Sequence, residues 1–377
     1  MVVYGGVAPE HEVAVITALQ VMNALKASGF YVMPVYISKE GNWFLGGNDY
    51  LKPDTYKDLA KTERLGKRVI FSPDGEFGLL SKGFLGFFPN DIQPDVVFPV
   101  IHGKNGEDGT LQGLFELANI PYVGCGVTAS AIKIDKLVAK KIAASLGIKV
   151  IKDVMVNKDE KPNLDGLKFP VFVKPNGLGS SIGLTKVDEK ADFADALDVA
   201  FCYDTRVMVE EAIDEPKEVN ISIIGNDPYE LSVTEQPVAS GEVLSFDDKY
   251  TGEAGKSRGM ASAKRYIPAK VDQKIIKQVE ENAVKFFHAI GGRGIARVDF
   301  MIDKKGTVYF NEINTLPGSL AFYLWEKSGY PFHKLVSKLV ELATEEWEKK
   351  QGLIHSFESN ILSSFATRGL KGGKKIR

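Results

Sequence analysis

Read for the spacing of its apolar residues, the chain opens as a strand, a helix and a strand. MVVYGG is a short apolar run entering a Gly-Gly turn, and in the following EHEVAVITALQVMNALKASG the residues Val15, Leu19 and Met22 recur at helical spacing up to a stop at Gly29. YVMPVYI supplies the second strand. That order implies a parallel pair in an α/β sheet. Residues 41 to 93 carry only short apolar pieces, RVIFS and FGLLS, which predict small strands elaborating the same sheet. PDVVFPVIHG resumes it, and TLQGLFELA predicts the next helix.

From about residue 128 the pattern changes. Thr128 stands as an N-cap to one long helix, ASAIKIDKLVAKKIAASLG, ending at Gly147. Two apolar strands then flank NGLGSSIG, followed by a helix, KADFADALDVAF, and a strand, RVMVEEAI. Beyond residue 213, EVNISIIG and YELSVTEQPV read as strands, and SFDDKYTGEAGKSRGMASAKRYI as a long polar loop suited to an active-site lid. DQKIIKQVEENAVKFFHAIG and PFHKLVSKLVELATEEWEKK predict helices. A tail follows, with Leu353, Phe357 and Leu362 at roughly helical spacing ahead of a basic end. The expected division is an N-terminal α/β domain over 1–127, a central unit over 128–213, a third over 214–347, and a C-terminal helix and tail over 348–377.

The stretch RVDFMIDKKGTVYFNEINTLPG, from 297 to 318, reads as a hairpin, because RVDFMI and TVYFNEI are β-rich runs around DKKG. A two-residue loop at Lys305 and Gly306 sets Asp299 opposite Glu312 and Arg297 opposite Asn314, all on one face, with Val298, Phe300 and Ile302 on the other. A loop at Lys304 and Lys305 would set Asp299 against Phe310 and undo that sorting. Facing carboxylates repel, so this register calls for a proton or a cation between them. Two carboxylates and an amide oxygen, with no His or Cys nearby, form a hard-oxygen site suited to Mg2+. A solvated hairpin face is the plainer alternative.

Composition narrows the classes. The 377 residues are 44% hydrophobic and 25% charged with a net charge of -2, which suits two or three globular domains and gives no general pull toward nucleic acid. Cys125 and Cys202 cannot make a disulfide framework and sit in no Cys/His cluster. No run approaches the eighteen or so apolar residues of a membrane span, so a cytoplasmic protein is expected.

Other candidates lie at strand ends and in loops. The Gly-Gly turn before Glu12 lacks the third glycine of a dinucleotide fingerprint, and Glu12 tops a strand-turn-helix where a carboxylate can face a ligand or simply favour the helix N-terminus. His102 ends a strand toward the same sheet edge. In NGLGSSIG the glycines let backbone N–H groups turn to an anion and Ser180 and Ser181 add donors, with Lys174 just before. Glu210 and Glu211 end an apolar strand that could line an adenine slot, and Glu218 follows.

The set YGG with HEVAV, HGKNGEDGTLQGLFE, YVGCGVTASAIKIDKLVAKK, FVKPNGLGSSIGLTKV, DDKY, ARVDFMI and FNEINTLPG, in this order, resembles the ATP-grasp carboxylate-amine ligases, and among them the D-alanine:D-alanine ligase family, over roughly residues 1 to 347. The resemblance implies an ATP-grasp architecture, an N-terminal parallel α/β domain followed by two domains that sandwich ATP between antiparallel sheets. It implies ATP and two Mg2+ or Mn2+ ions as cofactors, D-alanine as substrate, peptidoglycan precursor synthesis and a homodimer. Lys136 and Lys174 would contact the phosphates with Ser180, Ser181 and Lys249; Glu210, Glu211 and Ile213 would meet adenine, Glu218 the ribose, and Asn311 would complete the nucleotide contacts. Asp299, Glu312 and Asn314 would hold metal. Glu12, with Ser180 and Tyr250, would grip the first D-alanine near His102, and Arg297 with the Gly318 backbone N–H would stabilise the oxyanion. Two departures stand out. Tyr323 and Leu324 occupy the place of a Ser-Leu pair that binds the second substrate, and Glu211 replaces a lysine. D-lactate or D-serine as acceptor, or a nucleotide-binding scaffold without turnover, are the rival readings.

Overall fold

The computed structural model describes residues 1–83, 85–89, 93–179, 181–238, 264–354 and 356. Ser180, Lys249 and Tyr250 lie outside these residues, as do most of the expected lid and of the amphipathic tail segment.

The first sheet has the order β6-β5-β4-β3-β2-β1-β7. Its parallel centre is β1 (Val2–Gly5) between β2 (Pro34–Ile37) and β7 (Phe98–Val100). Every residue of these three strands is buried, as expected where both faces are covered. The strands β3 (Trp43–Leu45), β4 (Lys67–Phe71), β5 (Leu79–Gly83) and β6 (Gly86–Pro89) extend it antiparallel, the predicted elaboration. Helix α1 (His11–Ala27) buries Val15, Leu19 and Met22 beneath the sheet. Leu335, Val336, Leu339 and Leu342 of the helix Phe332–Gln351 complete the same core, so the last helix returns to the first sheet.

Two four-stranded antiparallel sheets make up the rest. One has the order β10-β9-β11-β8, from β8 (Asp153–Asn157), β9 (Val171–Pro175), β10 (Thr185–Val187) and β11 (Arg206–Glu211). The other has the order β13-β12-β16-β17, from β12 (Lys217–Gly225), β13 (Tyr229–Leu231), β16 (Gly294–Ile302) and β17 (Val308–Asn314). A short pair joins β14 (Gln236–Pro237) to β15 (Arg265–Tyr266). The run YELSVTEQPV is thus two strands rather than one. Among the described residues no helix is long and apolar enough to cross a membrane.

Two local expectations are corrected. The helix expected from Thr128 to Gly147 is two helices, Val127–Ile134 and Lys136–Ser145, capped at Gly126 and Asp135. Asp135 has an extended backbone, its side chain accepts from the Val138 N–H at 3.1 Å, and Arg206 binds its other oxygen at 2.7 Å. A carboxylate that caps one helix ends the previous one. The second correction concerns the hairpin. Arg297 faces Asn314 and Asp299 faces Glu312 as expected, but toward the turn Phe300 faces Phe310 and Ile302 faces Val308, one residue out of the expected register. The turn is Asp303 to Gly306, whose φ is +78°, with the Asp303 carboxylate accepting from the Lys305 and Thr307 N–H groups. A bulge at Asn311 absorbs the slip. Without it, every side chain beyond would change face. With it, Phe310 and Ile313 stay in the core while Asn311 and Glu312 both leave it.

Candidate active site

A cavity of about 830 Å³ lies between the two antiparallel sheets, within the size range of small-molecule sites. One wall belongs to the first of these sheets and the helix that starts at Lys136. Because Asp135 caps that helix, Lys136 is its first residue, and its ammonium turns to the carbonyls of Pro175, Asn176 and Leu178. Burial lowers the Lys136 pKa to about 8, with Lys174 and Lys133 adding to the effect against the pull of Glu312. One turn on, Lys140 is also buried and donates to Glu210 Oε1 at 2.5 Å and the Ile151 carbonyl at 2.6 Å. Lys174 holds Glu210 Oε2 at 2.7 Å. Burial alone would raise the Glu210 pKa; the two lysines hold it at about 2. Glu210 is therefore an ionised acceptor at the cavity wall, with Ile213 beside it and Glu211 accepting from the Lys168 N–H at 3.0 Å.

The loop after β9 covers this wall. Gly177 N–H donates to Asp204 at 2.7 Å, and Ser181, with φ of +59°, lines the cavity.

The opposite wall carries Glu218, Asp299, Asn311 and Glu312. Arg297 Nε and Nη2 each donate to an Asp299 oxygen at 2.7 Å, and Asn314 Nδ2 donates to Asp299 at 3.0 Å and to Glu312 at 3.4 Å. Burial pushes the Asp299 carboxyl above the usual carboxylate range, against the pull of Arg297 and with the help of Glu218 and Glu312. Among the described residues no group of three or more His, Cys, Asp or Glu side chains stands close enough to hold a metal. Asp299 and Glu312, with the Asn314 carboxamide beside both and able to turn its oxygen toward them, supply the kind of few hard-oxygen ligands with which Mg2+ sits alongside substrate phosphates. They fit such an ion.

At the edge of the first sheet two carboxylates, Glu10 and Glu12, differ in surroundings. Glu12 is exposed and paired with Lys39. Two residues earlier, Glu10 is 2% exposed, and the Cβ positions that Gly179 and Gly103 lack would lie 3.8 and 2.9 Å from its two oxygens. Residues two apart at a helix start point to different sides, so only one of the pair can face the loop after β9. His102 is buried, with Nε2 3.4 Å from Thr17 Oγ1, and burial lowers its pKa. Thr17 Oγ1 also accepts from the Ser319 N–H at 3.2 Å, tying the sheet edge to the segment after Gly318.

That segment is strained. Ser319, Leu320 and Ala321 have φ of +51°, +52° and +48°. Left-handed backbone costs roughly 1–2 kcal/mol per non-glycine residue, and strain of this kind collects where function demands a shape. Tyr323 and Leu324 do not reach the cavity. The Tyr323 hydroxyl donates to Glu235 at 3.1 Å, and Leu324 is buried against Ala321 and Ile267. Glu10, Lys140 and Glu235 escaped the sequence reading. Only Lys140 had a signal, its position four residues after Lys136 on the same helical face.

With this geometry in place, the similarities to known proteins are informative. The D-ala D-ala ligase N-terminus model matches residues 1–125 and the D-ala D-ala ligase C-terminus model residues 142–341. The D-alanine–D-alanine ligase of Listeria monocytogenes is 37% identical over 95% of this chain and 98% of its own length, and that of Heliobacterium modesticaldum 38% over 93% and 95%. Among solved structures, the VanG D-Ala:D-Ser ligase from Enterococcus faecalis has a TM-score of 0.78 at 33% identity over 91% of this chain and 98% of its own. The D-alanine-D-alanine ligase from Coxiella burnetii has a TM-score of 0.78 at 27% identity, over 98% of each chain. The chain therefore belongs to the D-alanine–D-alanine ligase family, ATP-dependent ligases of the ATP-grasp fold.

Proposed function

We propose that the protein joins two D-alanines to D-alanyl-D-alanine at the expense of ATP, through an acyl phosphate, as a step in cell-wall precursor synthesis. The observation that carries this reading is a nucleotide-sized cavity with partly buried lysines on one wall and Asp299 and Glu312 on the other, in a chain of this family. A carboxylate is a poor electrophile, so an oxygen of the first D-alanine attacks the γ-phosphorus and ADP leaves. The amine of the second D-alanine then attacks the acyl carbon, phosphate departs and the amine loses a proton.

Each group has a task. Lys136 and Lys174 take the ATP phosphates, Glu210 and Ile213 meet the adenine, and Glu218 meets the ribose. Asp299, Glu312 and Asn314 would hold two Mg2+ ions, whose charge neutralises the phosphoryl oxygens during transfer. Arg297 and the Gly318 N–H take the charge of the tetrahedral adduct. Glu10 replaces Glu12 as the carboxylate for the first D-alanine's ammonium, since it faces the covering loop and Glu12 does not. The central test is phosphate release from ATP with D-alanine alone and then with D-lactate or D-serine added. No release with D-alanine would refute the reading, and a much faster rate with another acceptor would replace the acceptor.

Two expectations follow from the geometry. Glu10→Gln should raise the first-substrate KM at least tenfold, since a hydrogen bond between charged groups is worth about 1.5–3 kcal/mol. Glu12→Gln should change it little; the reverse pattern in initial-rate kinetics would restore Glu12. Lys136, with a pKa of about 8 in the free protein, must be protonated to hold phosphate. Below that pH nucleotide binding takes up no proton at Lys136; above it, binding takes one up and affinity falls by as much as about tenfold per pH unit. Calorimetry from pH 7 to 9.5 in buffers of different ionisation enthalpy measures this, and a flat affinity with no proton uptake would remove Lys136 from the phosphate site.

A further inference from the structure

The metal-facing pair of the hairpin is part of a longer row. Glu312 faces Asp299, Asp299 faces Asn220, and Asn220 pairs across an antiparallel bridge with Glu235. Directly paired residues of antiparallel strands project to the same face, so three carboxylates and one carboxamide form a single rung across the sheet. The Asn220 amide donates to Glu218, two residues back on its own strand, at 2.9 Å and to Glu235 across the bridge at 3.4 Å. Asp299 and Glu312 have tasks in the proposed reaction. Glu235, which is fully buried, has none.

Its partners give it one. Glu235 Oε2 accepts from Arg265 at 2.6 Å and Oε1 from the Tyr323 hydroxyl at 3.1 Å, while the Arg265 guanidinium lies 4.1 Å from the Tyr323 ring centre. Tyr323 lies two residues past the left-handed turn Ser319–Ala321, separated from it by Phe322, and the far end of that turn is tied to Thr17. A turn of this kind keeps its shape only if both ends are held. Thr17 holds one, and Glu235 holds the other through Tyr323.

We propose that Glu235 is a positioning residue for the acceptor end of the site: by fixing Tyr323 and Arg265 it sets the turn after Gly318 that the second substrate meets. This rests on the two-substrate ligase reading above. It also redefines Tyr323, whose hydroxyl serves Glu235 and whose ring supports Arg265, in place of direct contact with a substrate carboxylate. Of the proposed nucleotide contacts only Glu218 is linked to Glu235, through Asn220, so the larger effect of Glu235 falls on the second substrate.

Initial-rate kinetics of Glu235→Gln, Tyr323→Phe and the double variant test this. Glutamine keeps the volume and can still accept from Tyr323, but it removes the charge that holds Arg265. Each single variant should raise the second-substrate KM roughly ten- to a hundredfold, the loss expected for a hydrogen bond to a charged group, with the ATP KM within about twofold of the parent. The losses in the double variant should fall short of the sum of the singles, because both contacts run through the Glu235 carboxylate. Lowered thermal stability with an unchanged second-substrate KM, or fully additive losses, would overturn the proposal. Should Glu235→Gln fail to fold, the KM split in Tyr323→Phe decides the matter alone. A parent protein inert to D-alanine would overturn the ligase reading and this inference together, whereas an active parent with unaffected variants overturns the inference only.

Discussion

Glu312→Gln is expected to lower ligase turnover on the order of 100-fold or more while leaving the fold intact. Losing a mere outer partner of a bound metal typically costs about 10- to 100-fold, and a carboxylate placed to touch the metal should matter at least as much. The fold should survive because glutamine keeps the shape and can still accept from Asn314, now 3.4 Å away. Glu312 also stands at the half-buried end of its rung. Circular dichroism and Mg2+-dependent phosphate release measured on one preparation give the answer. A folded variant with near-normal turnover would take Glu312 out of the metal site.

Arg297→Met should damage catalysis and stability together. Removing one donor to a developing oxyanion costs roughly 100- to 1000-fold in rate. Arg297 is also half of a buried, two-point ion pair, and the Asp299 left behind would be a buried carboxylate beside Glu218 and Glu312. Breaking such a pair on one side costs about 3–5 kcal/mol. The two effects separate in the double variant Arg297→Met with Asp299→Asn. Removing the stranded charge should recover much of the stability, read as the urea midpoint, and none of the rate. A double variant that regained activity would make Arg297 structural only.

The sequence was most legible where chemistry is local. The parallel start, the antiparallel pairs and the pairing of Asp299 with Glu312 follow from apolar period and turn residues, which act over a few neighbours. The same reasoning misplaced the hairpin turn by one residue, because a bulge changes register without changing composition. It also joined two helices into one, because Asp135 reads equally as an ordinary helix residue until Arg206 draws its carboxylate aside.

What the chain alone determined is the inventory: a family-specific order of glycine loops, lysines and hard-oxygen ligands, and strands patterned to carry them to shared faces. What only the tertiary structure decided is which of several equal candidates is used. Glu10 and Glu12 are the same residue type two positions apart, and the packed chain buries the first beside Gly179 and Gly103 while the second stays exposed and pairs with Lys39. Tyr323 looks like a substrate ligand from its place after Gly318, but a glutamate 88 positions away claims its hydroxyl. Local pattern records which groups are available and which face of an element they occupy. Partners distant in sequence determine burial, charge compensation and aim, and those are properties of the packed chain.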